Sequence, residues 1–139
     1  DARTVSNVVA RLPEATARRG NWSGLTAALT GTSRPGTFSE ADLEEYRKAW
    51  SQPGAITAMI NWYRAAMRTR PRRSPDVRVR VPTLIIWGTK DAALETGLAQ
   101  ASLERCDRGR VEYIESASHW VQHEEADRVN RLLIDFLHA

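Results

Sequence analysis

Cysteine is nearly absent from this 139-residue chain: Cys106 stands alone, so these residues form no internal disulfide and no cysteine metal cluster. A lone thiol fits a reducing compartment, and a cytoplasmic location is the expectation. No apolar run approaches the ~20 residues that a membrane-spanning helix needs, which sets a membrane partner aside. Asp1 to Asn7 lack the pattern of a signal or transit peptide. Lysine is scarce too, and nearly all the positive charge behind the net +3 is arginine. Arg68, Arg70, Arg72, Arg73, Arg78 and Arg80 lie close together, and such a strip can bind phosphate. Two prolines and Asp76 interrupt it and no aromatic side chain interleaves it, so it reads as a solvated connector and no nucleic-acid partner is expected. His119 and His123 are one helical turn apart, but no third ligand type clusters with them, so no metal is expected.

What is present is a single domain's worth of chain with two kinds of periodicity. A short helix is expected around Leu25 to Leu29, then a loop from Gly31 to Gly36. Ser39 is placed to cap the next helix, with acids in its first turn and Phe38 able to staple to Leu43. Pro53 and Gly54 separate it from a helix whose apolar stripe runs through Ile56, Met59, Ile60, Tyr63 and Met67. From Val77 the period changes. Val77 to Trp87 reads as a strand buried on both faces, Leu94 to Cys106 as a helix, Arg110 to Glu115 as a second strand, and Glu124 to Leu137 as a final helix with a Glu124–Arg128 pair on its surface. The second half is thus strand–helix–strand–helix, a parallel α/β arrangement.

Asp91 follows the first strand and His119 follows the second. Carboxyl ends of parallel strands are where such folds place their chemistry, and an acid and a histidine delivered there together can act as orienting acid and base. Taken singly, Asp91 is also an ordinary turn aspartate and His119 an ordinary loop histidine.

Two segments, Val81 to Asp91 (Val-Pro-Thr-Leu-Ile-Ile-Trp-Gly-Thr-Lys-Asp) and Ala117 to Gln122 (Ala-Ser-His-Trp-Val-Gln), resemble the acid and histidine segments of α/β-hydrolases. Asn61 to Arg64 (Asn-Trp-Tyr-Arg) resembles the end of the helical cap of epoxide hydrolases. The resemblance spans roughly residues 35 to 139. It implies an α/β fold, with residues 1–75 a partial helical cap segment and connector and residues 76–139 the C-terminal part of the hydrolase core. It implies that Asp91 and His119 are catalytic, that Tyr63 donates a hydrogen bond to the epoxide oxygen, and that Trp120 lines the pocket. Tyr63 within an apolar stripe equally reads as a core tyrosine, and Trp120 as simple packing. The implied substrate is an epoxide or a related apolar small molecule, and no cofactor is implied. Haloalkane and fluoroacetate dehalogenases and esterases share the plan.

One piece is missing. No small-x-nucleophile-x-small elbow occurs; Gly20 to Gly24 comes nearest, with Ser23 one position late and no strand before it. The expectation is therefore the C-terminal portion of an epoxide-hydrolase-like enzyme, inactive alone and in need of an N-terminal core half, or prone to self-association. A non-catalytic remnant or binding module is the competing expectation.

Overall fold

The computed structural model describes residues 14–68 and 78–138. Arg70, Arg72 and Arg73, most of the arginine connector and Val77 of the expected strand lie outside them; residues 78–82 are described and precede the strand, with only an isolated bridge at Val79. The described residues divide into two compact units: 14–30 with 38–68, and 31–37 with 78–138. The loop at Gly31–Thr37, read from sequence as part of the helical segment, groups with the second unit.

The first unit is helical: α1 (Glu14–Ala17), α2 (Arg19–Gly31, its last residue beyond this unit), α3 (Glu40–Ser51) and α4 (Ala55–Arg68). Ser39 caps α3 as its sequence predicts. Its hydroxyl accepts from Asp42 N at 3.2 Å while the Asp42 carboxylate accepts from Ser39 N at 2.8 Å, so two orphan donors are satisfied at once. Phe38 is buried and meets Tyr46 edge to face at 5.7 Å. Gly54, at φ 79°, makes the turn into α4, a conformation glycine adopts without the Cβ clash other residues suffer.

The α4 stripe differs from expectation. Ile56 and Ile60 are buried, whereas Met59, Tyr63 and Met67 are nearly half exposed. Gly20, Asn21 and Trp22 break α2 with three consecutive left-handed backbone angles. The turn swings the Trp22 ring into the core, 6.1 Å from Trp50, where its indole N–H donates to Ser51 Oγ at 3.1 Å. Gly20 to Gly24 is therefore a helical kink, not an elbow.

The second unit contains β1 (Thr83–Gly88), α5 (Gly97–Leu103), β2 (Gly109–Ile114), α6 (Val121–Glu124) and α7 (Ala126–Leu137). The strands pair in parallel, with Thr83 opposite Gly109 and Gly88 opposite Ile114. Among the described residues they form a sheet of two, so β1 is only half covered until Gly88, not buried on both faces. Ile114, Ala117 and Val129 make the core, with Ile86, Val121 and Leu132 against it.

The second strand has its expected length, but the two expected helices here are shorter than their apolar patterns, and contacts outside the pattern explain their ends. Asp91 Oδ1 accepts from the backbone N–H of Ala93 and Leu94, holding Leu94 out of α5. Beyond Leu103 the chain bridges in parallel to Val79 through Cys106. Arg78 is anchored there as well, on the Asp107 carboxylate and the Glu104 carbonyl, while its side chain stays exposed to solvent. The last helix is interrupted at Glu125, because Glu124 turns inward to bond Ser118 instead of pairing with Arg128. Arg128 reaches the Tyr113 carbonyl.

Candidate active site

The two loops that leave β1 and β2 approach each other because Gly88 has no side chain. A Cβ there would overlap the carbonyl oxygens of Ala117 and Ser118. In the space so gained, Thr89 N donates to the Ile114 carbonyl at 3.1 Å and Lys90 N to the Ala117 carbonyl at 2.9 Å. The segments on either side of that seam carry the acid and the histidine.

Asp91 Oδ2 lies 2.8 Å from His119 Nδ1. The Asp91 side chain is 7% exposed and that of His119 37%, so the acid is enclosed and the ring reaches the surface. Burial pushes the Asp91 carboxyl upward. The His119 ring and the Leu94 and Ala93 amides outweigh it, so the group lies below its ordinary value and is ionised at neutral pH. An ionised carboxylate only accepts, so Nδ1 carries the proton and Nε2 keeps the basic lone pair. That is the arrangement of a general base held in one tautomer by an acid.

Trp120 meets the His119 ring edge to face at 5.4 Å, and its indole N–H donates to Thr32 Oγ1 at 2.8 Å. Tyr63 belongs to the first unit. Its ring lies 5.3 Å from that of Trp62, edge to face, while Asn61 and Arg64 are tied to each other and Arg64 to Glu14 at 2.8 Å. The Asn-Trp-Tyr-Arg stretch thus anchors through its first and last residues and leaves Trp62 and Tyr63 exposed, at 71% and 44%.

A cleft of about 360 Å³ opens beside the loops, walled in part by Thr32, Arg34, Pro35, Lys90, Ala92 and Ser118. Sequence reasoning passed over one residue, Glu124, a buried carboxylate that receives Ser118 N, Ser118 Oγ and Arg34 N. Its only sequence signal is an acid one turn into a helix, a position shared by many surface residues. Among the described residues no group of three or more His, Cys, Asp or Glu is placed to hold a metal ion.

A family model described as the alpha/beta hydrolase family matches residues 2–132. An AB hydrolase superfamily protein of Bacillus subtilis is 37% identical over 126 residues, spanning 91% of this chain and 44% of the relative. Epoxide hydrolase 1 of Caenorhabditis elegans is 40% identical over 101 residues, spanning 72% of this chain and 25% of the relative. Among solved structures, an epoxide hydrolase from Bacillus megaterium superposes with a TM-score of 0.76 at 23% identity, over 97% of this chain and 51% of that one. The chain therefore spans less than half the length of these curated relatives and about half that of the solved structure. No helix among the described residues is long and apolar enough to cross a membrane.

Proposed function

This chain belongs to the alpha/beta hydrolase family and is epoxide-hydrolase-like, and from that premise we propose that it supplies the water-activating half of a hydrolase that opens epoxides through a covalent ester. The observation that carries this reading is the 2.8 Å contact between Asp91 and His119 at the ends of two adjacent parallel strands.

In this reading a carboxylate nucleophile from outside these residues attacks an epoxide carbon. Tyr63 donates its phenolic proton to a hydrogen bond on the oxygen that gains charge. His119 Nε2 then takes a proton from water, which attacks the ester carbonyl, and Asp91 stabilises the imidazolium through Nδ1–H. The tetrahedral intermediate then expels the ester oxygen, which takes the proton back from the His119 imidazolium. The second proton of the water goes to the oxygen of the opened ring; the diol is released and the carboxylate restored. Trp120 forms part of the wall beside the base. The chemistry calls for no metal, and the expected partner is a small apolar substrate. A cytoplasmic location is part of the same proposal.

The test uses the complete protein that carries this chain. His119→Ala is expected to lower epoxide turnover by about 10³-fold or more while the ester accumulates, visible as a mass increase equal to one substrate. The isolated 139 residues are expected to show no turnover; hydrolysis by them that His119→Ala abolishes would overturn the need for an outside nucleophile. Tyr63→Phe separates the close relatives in chemistry, since it disables epoxide opening and leaves ester hydrolysis or halide displacement standing.

A second reading, a self-associating or partner-binding module, is favoured by the exposure of Leu133, Ile134 and Leu137 on α7. Sedimentation decides it: stable dimers without turnover in any context would support the module.

A further inference from the structure

We infer that Glu124 is the positioning residue of the histidine loop: its buried carboxylate sets where His119 stands by holding Ser118 against the Thr32–Arg34 segment. This rests on His119 being the base proposed above, and it adds a residue to that assignment.

The geometry is specific. Glu124 Oε2 accepts from Ser118 N at 2.5 Å, while Oε1 accepts from Arg34 N at 2.6 Å and lies 2.6 Å from Ser118 Oγ. The Ser118 hydroxyl also lies 3.1 Å from the Thr32 carbonyl, so one proton serves two acceptors that both draw the loop toward the same segment. On the far side of His119, the Trp120 indole is fixed to Thr32 Oγ1. The histidine is therefore held at both neighbours, and each tether ends on the segment from Thr32 to Arg34.

A carboxylate in this place does something a neutral residue cannot. Ser118 N and Arg34 N are fixed donors, and only a group with two acceptor oxygens satisfies both of them and the hydroxyl. Such charge-assisted bonds are shorter and stronger than neutral ones. Burial works against the charge, yet the Ser118 and Arg34 donors more than offset it and keep the carboxyl below its ordinary value. The Arg34 guanidinium closes the ring on the Glu124 carbonyl and on Glu125, 2.9 Å away. This also explains the break in the last helix. Glu124 cannot face inward while an unbroken α6–α7 helix carries it on the surface beside Arg128.

A base is sensitive to such support, because a displacement of about 1 Å at a reacting group can cost about 10²-fold in rate. The consequence to measure lies on the ring. In the complete protein labelled with ¹⁵N-histidine, the His119 Nδ1–H proton is assigned by its loss in His119→Ala and its response to Asp91→Asn. Glu124→Gln keeps the volume but sets an amide NH₂ against either Ser118 N–H or Arg34 N–H. It is expected to speed exchange of the Nδ1 proton with water by about tenfold or more, the scale of one lost charge-assisted bond, while the Ile85 and Glu112 amides, which face the partner strand, keep their protection. Ser118→Ala, which retains the backbone bond, is expected to shift exchange in the same direction by less.

Unchanged exchange in both variants with the strands intact would overturn the inference. So would loss of strand protection in Glu124→Gln with no change in Ser118→Ala, since the carboxylate would then hold the fold and not the ring. An effect of Arg34→Ala as large as that of Glu124→Gln would overturn it too, because that variant keeps every bond to the carboxylate. If wild type and Asp91→Asn exchange alike, the Asp91–His119 pairing itself fails and the inference falls with it.

Discussion

The helical unit and the α/β unit are stabilised by different means. In residues 14–30 and 38–68, order comes from within each helix and from aromatic packing: a capping box at Ser39, a glycine turn at Gly54, and Trp50 in contact with both Trp22 and Tyr46. Its ion pairs, such as Lys48–Glu45 and Glu14–Arg64, sit at the surface. Such pairs contribute little, because solvent screens them. In residues 31–37 and 78–138, loops distant in sequence meet through a missing side chain at Gly88 and through buried carboxylates at Asp91 and Glu124. The helical unit is expected to tolerate local change better than the α/β unit, where one contact positions several loops.

Gly88→Ala presses hardest on this contrast. The added methyl meets backbone carbonyls that no rotamer can move aside, so a loss of at least about 4 kcal/mol is expected, read by denaturant titration. Hydrogen exchange locates it: the amides of Ile85 and Glu112, which face the partner strand, should lose protection before those of α3. Equal loss in α3 would dissolve the distinction between the units.

Ile114→Ala comes next. Its side chain is fully buried in the small core of the α/β unit, so a loss of about 3 kcal/mol is expected, with a fall in Tm. Ser39→Ala in the helical unit should cost only about 1 kcal/mol, as removal of a cap does. A cost as large as that of Ile114→Ala would mean that the helical unit is no more forgiving.

Acid gives the mildest probe. Asp91 and Glu124 have carboxyls held below their ordinary values, so their stabilisation is present above the ordinary carboxylate value near about 4 and is lost as pH falls through the lower folded values. Tm should therefore drop as pH falls from about 5 to about 3, less steeply in Asp91→Asn than in wild type. The Glu14 carboxyl is lowered by Arg64 as well, but at the surface, where solvent screens the pair. An acid response unchanged in Asp91→Asn would place its origin elsewhere.

Local signals proved readable where a few neighbouring residues decide the outcome. Ser39 with Asp42, Pro53 with Gly54, and the β-branched run ending at Gly88 all produced the elements that their chemistry predicts. The Asp91–His119 contact was anticipated from the order of strands and loops. Element ends were misjudged at Leu94, Cys106 and Glu124, each time because a side chain or main-chain bridge formed a contact outside the periodic pattern. The α4 stripe was overread, since Met59, Tyr63 and Met67 are apolar or aromatic at helical spacing and yet substantially exposed. Spacing reports which residues share a face. It does not report what covers that face.

Residue order alone thus determined the starts of α3 and α4, the strand cores and the presence of an acid and a histidine at the ends of parallel strands, because capping, turn chemistry and side-chain alternation act over a few bonds. The tertiary structure decided that Gly88 admits the histidine loop, that Asp91 turns one oxygen to its own backbone and the other to His119, and that Glu124 leaves its helix for Ser118 and Arg34. Those outcomes depend on groups up to 90 residues apart sharing a buried space, where an unpaired donor or charge is too costly to leave.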